Sequence, residues 1–262
     1  MQSRLDKMFF SQTSLAIFDQ CSMKFKKRYI DGLLWKNSEP NSQSVMITQK
    51  GRLFHLLAYR YFLGMDSSAG EVEAEYIELD TWVERLKRFI QIDKENQYFP
   101  EFELKISIDK LRLQAKYDLI VLKNDGEAVI YDWKVQEKKL NQKHLKSSWQ
   151  TIVYRYLLAK AGRALSGKEI SPEKIKMIYW QPTLQVEEEF AYSQKLFEQD
   201  EKLIQSQIET ILNCHQPAKV LDPKICTNCE FCAICSDFRP KSDEDNFELE
   251  GLDWDEIEEI EF

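Results

Sequence analysis

Asp132 and Lys134 are separated by a single residue, and Asp118 lies a short strand's length upstream of them. Two apolar, β-branched and aromatic runs, YDLIVL and AVIYDW, flank Lys123-Asn124-Asp125-Gly126. Asp-Gly supplies the positive φ of a tight hairpin turn, so the spacing predicts a β-hairpin. Successive side chains of a strand face opposite sides, which places Asp132 and Lys134 together and Trp133 away from them. In the simplest register Asp118 reaches the same end, and two carboxylates meet one ammonium. Two carboxylates held together repel, and a hard divalent cation with oxygen ligands, Mg²⁺ or Mn²⁺, relieves the repulsion. The lysine would hold or polarise a water, or stabilise a developing negative charge. The competing reading is that acids near strand ends are solvated and a D-x-K triplet occurs by chance.

A second concentration of reactive groups is Cys226, Cys229, Cys232 and Cys235, four thiols within ten residues. Such density predicts a metal or cluster site. A zinc ribbon needs two separated pairs, and the bacterial ferredoxin run has a different last spacing followed by proline. Without Cys232 the motif is C-x2-C-x5-C, three ligands, with Cys232, Cys214 and Cys21 as candidates for a fourth.

These groups need elements to position them. Ser11 or Thr13 caps a helix carrying Leu15, Ile17 and Phe18, with Cys21 near its end. Lys24, Lys26, Lys27 and Arg28 then interleave with Phe25 and Tyr29, as a phosphate-binding segment or a solvated helix face would. Leu53, Phe54, Leu57, Ala58, Tyr61 and Phe62 line one side of a helix closed by Gly64. His55 stands at the margin of that face, where a histidine reads as structural. Phe102, Leu104, Ile106 and Ile108 alternate with polar residues in a half-buried strand, whose Glu101 and Glu103 read as solvent-exposed, with a further acid near the metal as the alternative for either. After Lys134 a basic loop leads to a helix capped by Ser147 or Ser148, in which Gln150 and Tyr154 share a face. A strand at Lys176–Trp180 and a long amphipathic helix follow. The order predicts an α/β fold with a mixed central β-sheet flanked by helices.

The net charge of -8 is unevenly spread. Residues 241–262 hold eleven acids against one lysine, which leaves the other 240 residues at +2. That body suits nucleic acid better than the whole-chain charge suggests. No apolar run approaches the roughly 20 residues a membrane span requires, and the N-terminus lacks the apolar stretch of a signal peptide. A cytoplasmic protein without membrane association is expected.

Taken in order, these motifs resemble the RecB-type iron–sulfur branch of the PD-(D/E)XK nuclease superfamily, with its AddB nuclease domain and CRISPR-associated four-cysteine exonucleases. The matching features are Cys21 in FDQCSMKFKKRYI, G-x-x-x-H at Gly51–His55, Asp118, D-x-K at Asp132–Lys134, Q-x-x-x-Y at Gln150–Tyr154, and C-x2-C-x5-C at Cys226, Cys229 and Cys235. The resemblance implies a restriction-endonuclease-like core over residues 1–240; the acidic composition of 241–262 reads as a disordered tail, or as a short binding segment with Leu252, Trp254, Ile257 and Ile260 as apolar anchors. It implies His55, Asp118 and Asp132 as metal ligands, Lys134 as the residue that positions water or stabilises the phosphorane, and Gln150 and Tyr154 as organisers of the site or DNA contacts. It also implies a [4Fe-4S] cluster held by Cys21, Cys226, Cys229 and Cys235, with Cys232 the alternative fourth ligand, joining the two ends of the chain.

The function implied is metal-dependent hydrolysis of DNA, exonucleolytic and with a preference for single strands, in repair, recombination or CRISPR adaptation. A helicase or CRISPR integrase is the implied partner. The alternatives are a catalytically silent DNA-binding or assembly subunit and an iron–sulfur redox-sensing regulator.

Overall fold

The computed structural model describes residues 2–33, 42–68, 77–220, 222–227 and 229–235. The acidic tail expected over 241–262 lies outside the described residues. The helices are α1 (Gln2–Leu5), α2 (Gln12–Gln20), α3 (Ser22–Phe25), α4 (Ser42–Phe62), α5 (Glu78–Phe89), α6 (Gln142–Ser147), α7 (Trp149–Ala161), α8 (Arg163–Ser166), α9 (Gln194–Asn213), α10 (Pro223–Thr227) and α11 (Cys232–Cys235). The strands are β1 (Gln97–Ile108), β2 (Leu111–Leu122), β3 (Ala128–Trp133), β4 (Ile175–Gln181) and β5 (Val186–Ala191).

The strands form one five-stranded sheet in the order β1-β2-β3-β4-β5. β1–β2, β2–β3 and β4–β5 are antiparallel, whereas β3 and β4 run parallel. A parallel pair needs a crossover, which α6 and α7 supply. The predicted hairpin forms β2 and β3, with Gly126 at φ 83° in its turn. Its register pairs Leu119 with Tyr131 and Leu122 with Ala128.

Helices cover both sheet faces, as the alternating sequence requires. On one face Ile152, Val153, Tyr156 and Leu157 of α7 pack with Leu15 and Ile17 of α2, Ile204 and Ile208 of α9, and inward residues of β1–β4. On the other, Phe54, Leu57 and Phe62 of α4 and Trp82 and Leu86 of α5 pack on Leu119, Val121, Trp133 and Trp180. α7 is fixed at its start by Ser148, whose hydroxyl accepts the Thr151 N–H, and further along by Arg155. Both partners of that anchor are buried: Arg155 Nε and Nη2 donate to the two oxygens of Asp200 on α9 at 2.6 and 2.8 Å.

The strand alternation slips once where it matters. Leu113, Ala115 and Tyr117 of β2 face α7, but so does Ile120, while Leu119 and Val121 face α4 and α5. β1 slips at the same level: Phe102 packs on the α7 side, as does Phe99, with Tyr98 on the other. The register keeps its count across the slip, with Pro100 opposite Leu119 and Phe102 opposite Tyr117, although Glu101 and Asp118 between them form no ladder pair. Both strands turn over together at Glu101 and Asp118, and Glu101 takes the left-handed conformation, φ 50°.

Candidate active site

The site lies where β2 and β3 part company. Beyond the Leu119–Tyr131 pair the strands no longer exchange ladder hydrogen bonds, and Asp118 and Asp132 flank the gap. Asp118 Oδ2 bridges the opening by accepting the Trp133 N–H at 2.7 Å. That leaves Oδ1 toward His55 of α4, whose Nδ1 is 3.2 Å away. Glu101 Oε1 approaches the same nitrogen at 3.9 Å, and Lys116 Nζ holds the other Glu101 oxygen at 3.0 Å. One donor atom each from His55, Glu101 and Asp118 falls within a 4.8 Å circle, a group able to hold a metal ion.

Asp132 and Lys134 stand behind this group. Lys134 Nζ pairs with Asp132 Oδ1 at 3.1 Å, and Gln150 Nε2 of α7 donates to Asp132 Oδ2 at 2.7 Å. Exposure separates the two layers: the His55 and Asp118 side chains are 32% and 16% exposed, whereas those of Lys134 and Asp132 are 5% and 2%. A hydrated ion entering from solvent therefore meets His55, Glu101 and Asp118 before the buried pair.

The charges follow this arrangement. Burial works to lower the His55 pKa, but the charge and hydrogen bond of Asp118, then Glu101 and Asp132, outweigh it and raise the value to about 9. Burial, followed by the facing charge of Asp118, pushes Glu101 up. Asp118 is held below its ordinary value, because His55, the Trp133 N–H and Lys134 together overcome the cost of its burial. A divalent cation would replace the proton on His55 and quench the repulsion between the two carboxylates. This donor set, one imidazole and carboxylate oxygens, suits Mn²⁺ and Mg²⁺.

Tyr154 serves a neighbouring purpose. Its hydroxyl donates to the Lys116 carbonyl at 2.7 Å and accepts from Gln12 at 3.3 Å, while Tyr117 donates to the Tyr154 carbonyl at 2.8 Å. Buried in this network, it fixes the β2 segment that ends in Asp118. Gln150 reaches the acids and Tyr154 reaches the strand carrying them, from one face of one helix.

Glu101 was expected in solvent. The register sets it across from Asp118, on the same face of the sheet, and its carboxylate joins the group from there. Its place directly opposite Asp118 follows from pairing β1 with β2, and that pairing was the available signal.

The cysteine expectation is corrected. Among the described residues the metal-holding group is His55, Glu101 and Asp118, and the thiols form no such group. Cys21, Cys226, Cys229, Cys232 and Cys235 do line one small cavity between the N- and C-terminal segments. Two of the sulfurs make hydrogen bonds there: Cys226 donates to the Val220 carbonyl at 3.1 Å, and Cys21 accepts the Lys24 N–H at 3.4 Å. Burial raises Cys226 and pushes Cys229 to about 11. Neither the [4Fe-4S] cofactor nor an iron–sulfur link between the chain ends is supported. The adjacent basic segment is partly internal, with Lys24 paired to Glu230 at 3.4 Å and Lys26 to Asp31 at 2.7 Å.

The family model described as the PD-(D/E)XK nuclease superfamily matches residues 9–236, a span that includes every residue of this site. The chain belongs to the PD-(D/E)XK nuclease superfamily. A solved structure from Eubacterium rectale, described as that of a candidate exonuclease, is similar to it at TM-score 0.54 and 12% identity, covering 89% of this chain and 90% of that one. At that identity the likeness concerns the fold. Another solved structure, SSO0001, aligns at TM-score 0.36 and 16% identity over 82% of this chain and 94% of that one, too loosely to bear on the comparison. No curated protein matches. The superfamily's mixed α/β restriction-endonuclease-like core is the sheet described above. Among the described residues no helix is long and apolar enough to cross a membrane.

Proposed function

We propose that this superfamily member is a metal-dependent deoxyribonuclease of the RecB type that removes nucleotides from DNA ends and prefers single strands. The observation that carries the reading is the convergence of His55, Glu101 and Asp118 in front of the buried Asp132–Lys134 pair.

A divalent cation bound there supplies a water of lowered pKa and neutralises charge on the scissile phosphate. His55, Glu101 and Asp118 would hold it, with Asp132 as a further oxygen donor. Lys134 directs its ammonium toward the same space and stabilises the negative charge that grows on the phosphate. Its stem is confined by burial and its charge lies 5.8 Å from the Tyr179 ring centre, so little reorganisation is needed during the reaction. Gln150 fixes the Asp132 carboxylate, and Tyr154 fixes β2 next to Asp118. Neither needs to touch the substrate.

DNA repair, recombination and CRISPR adaptation all present free DNA ends, and a helicase or CRISPR integrase would deliver them. The test is cleavage of DNA labelled at one end, single- or double-stranded, with Mn²⁺, Mg²⁺ or EDTA, beside an Asp132→Ala, Lys134→Ala double variant. Metal-dependent shortening that disappears in the variant is expected. A folded protein that cleaves none of these substrates would favour the catalytically silent DNA-binding subunit instead.

A further inference from the structure

Directly after Lys134 the chain enters a loop that belongs to neither strand nor helix and continues into α6. From Lys134 to Ser147 it carries five lysines and one glutamate. Lys138, Lys139, Lys143 and Lys146 are all exposed. An irregular loop must find partners for its backbone groups outside any ladder. Here one side chain serves three of them. Gln181, the last residue of β4, is only 1% exposed. Its Oε1 accepts the Leu140 N–H at 3.1 Å, while its Nε2 donates to the Lys138 carbonyl at 2.8 Å and, more weakly, to the Gln136 carbonyl at 3.5 Å.

The clasp is braced from two sides. Thr183 Oγ1 donates to the Gln136 carbonyl. Arg85 of α5 donates to the carbonyls of Pro182 and Thr183 at 2.8 and 2.9 Å, so the β4–β5 turn is itself fixed. At the loop's origin the Lys134 N–H donates to the Trp180 carbonyl at 3.0 Å, one residue before Gln181. The end of β4 thus sets both the start and the curvature of the basic loop. Lys138 is four residues from Lys134, hence within about 14 Å even if the chain were fully extended. That is the range of the phosphates next along a strand whose scissile phosphate sits at the acids.

We propose that Gln181 is a positioning residue for substrate: it shapes the loop so that Lys138, Lys143 and Lys146 track the backbone of the DNA strand entering the site. The inference rests on the nuclease reading for the identity of the ligand. It predicts DNA affinity, which is separable from cleavage. An amide is required because both its donor and its acceptor are in use. In Gln181→Glu a carboxylate would face the carbonyls of Lys138 and Gln136, and Gln181→Met keeps the shape with neither group.

The experiment is fluorescence anisotropy of an end-labelled single-stranded oligonucleotide in EDTA, where no cleavage occurs, across a series of salt concentrations, with thermal melts alongside. Lys138→Gln and Lys143→Gln are each expected to reduce the salt slope by about one, the signature of a lost phosphate contact. Gln181→Met, though it removes no charge, is expected to lower the slope by about one and weaken binding roughly tenfold at moderate salt. Thr183→Val, which loosens the same clasp and leaves Gln181 intact, moves the slope in the same direction and decides the matter if Gln181→Met fails to fold. A wild-type slope in folded Gln181→Met, or lysine variants that bind as wild type, would overturn the proposal, as would a wild-type protein that binds no DNA. A wild-type protein that binds with these slopes yet never cleaves would defeat the nuclease reading and leave the loop assignment standing.

Discussion

Glu101 and Asp118 face each other across β1 and β2 at the step where both strands exchange the faces their side chains address. An ordinary antiparallel pair of like charges is destabilising. Here the paired acids are held by His55 on one side and Lys116 on the other, and the repulsion becomes useful once a cation arrives.

The strain at Glu101 yields a prediction in which stability and function diverge. A non-glycine residue in the left-handed region costs about 1–2 kcal/mol. Glu101→Gly relieves that strain and loses a half-exposed ion pair of about 0–1 kcal/mol, so its melting temperature should equal or exceed that of the wild type. Its affinity for Mn²⁺, measured by calorimetry, should fall at least tenfold, about the weight of one carboxylate ligand.

Cation binding should depend on pH in a stated direction. His55 must give up its proton to ligate, and without metal its pKa is about 9. Mn²⁺ affinity should therefore rise about tenfold per unit as pH increases toward 9, then level off. Stability of the cation-free protein runs the other way. The folded value exceeds the unfolded 6.5, so the contribution of His55 is complete below pH 6.5 and is lost as pH rises through about 9. His55→Ala should flatten both dependences.

Breaking the buried pair should cost more than deleting it. Removing Asp132 or Lys134 alone leaves an uncompensated charge in the interior, at about 3–5 kcal/mol. The Asp132→Ala, Lys134→Ala double variant should unfold at higher denaturant than either single variant. If the two single effects simply add, the pair is not coupled as its 3.1 Å separation indicates.

Gln150 and Tyr154 should separate by assay. Gln150→Ala frees the Asp132 carboxylate and should slow cleavage at saturating DNA about 10–100-fold, while the unsatisfied carboxylate oxygen also lowers the melting temperature. Tyr154→Phe leaves the Lys116 carbonyl without its 2.7 Å partner. It should destabilise the fold by about 1–3 kcal/mol and affect cleavage less than Gln150→Ala does.

The hairpin was legible because its information is local: a turn signal, two β-rich runs and a period of two suffice to pair Leu119 with Tyr131. The mixed sheet followed from the order of elements. Glu101 was less legible, since strict alternation within β1 assigns it to the polar face and only the pairing of β1 with β2 brings it across from Asp118. The thiols misled for the opposite reason. Four cysteines in ten residues are close along the chain, yet ligation depends on where sulfurs point and whether they are ionised. Among the described residues the group able to hold an ion is His55, Glu101 and Asp118 instead.

β5 ends the sheet, and an open strand edge is a template on which another chain can pair. Its sequence is Val-Glu-Glu-Glu-Phe-Ala, with Glu188 tied to Lys139 at 3.0 Å and Glu189 within 3.8 Å of Lys176. A second copy approaching this border would have to bring its backbone against a row of carboxylates. The margin of the sheet thus guards against aggregation, and neutralising Glu187 and Glu189 should shorten the time the protein stays clear in concentrated solution.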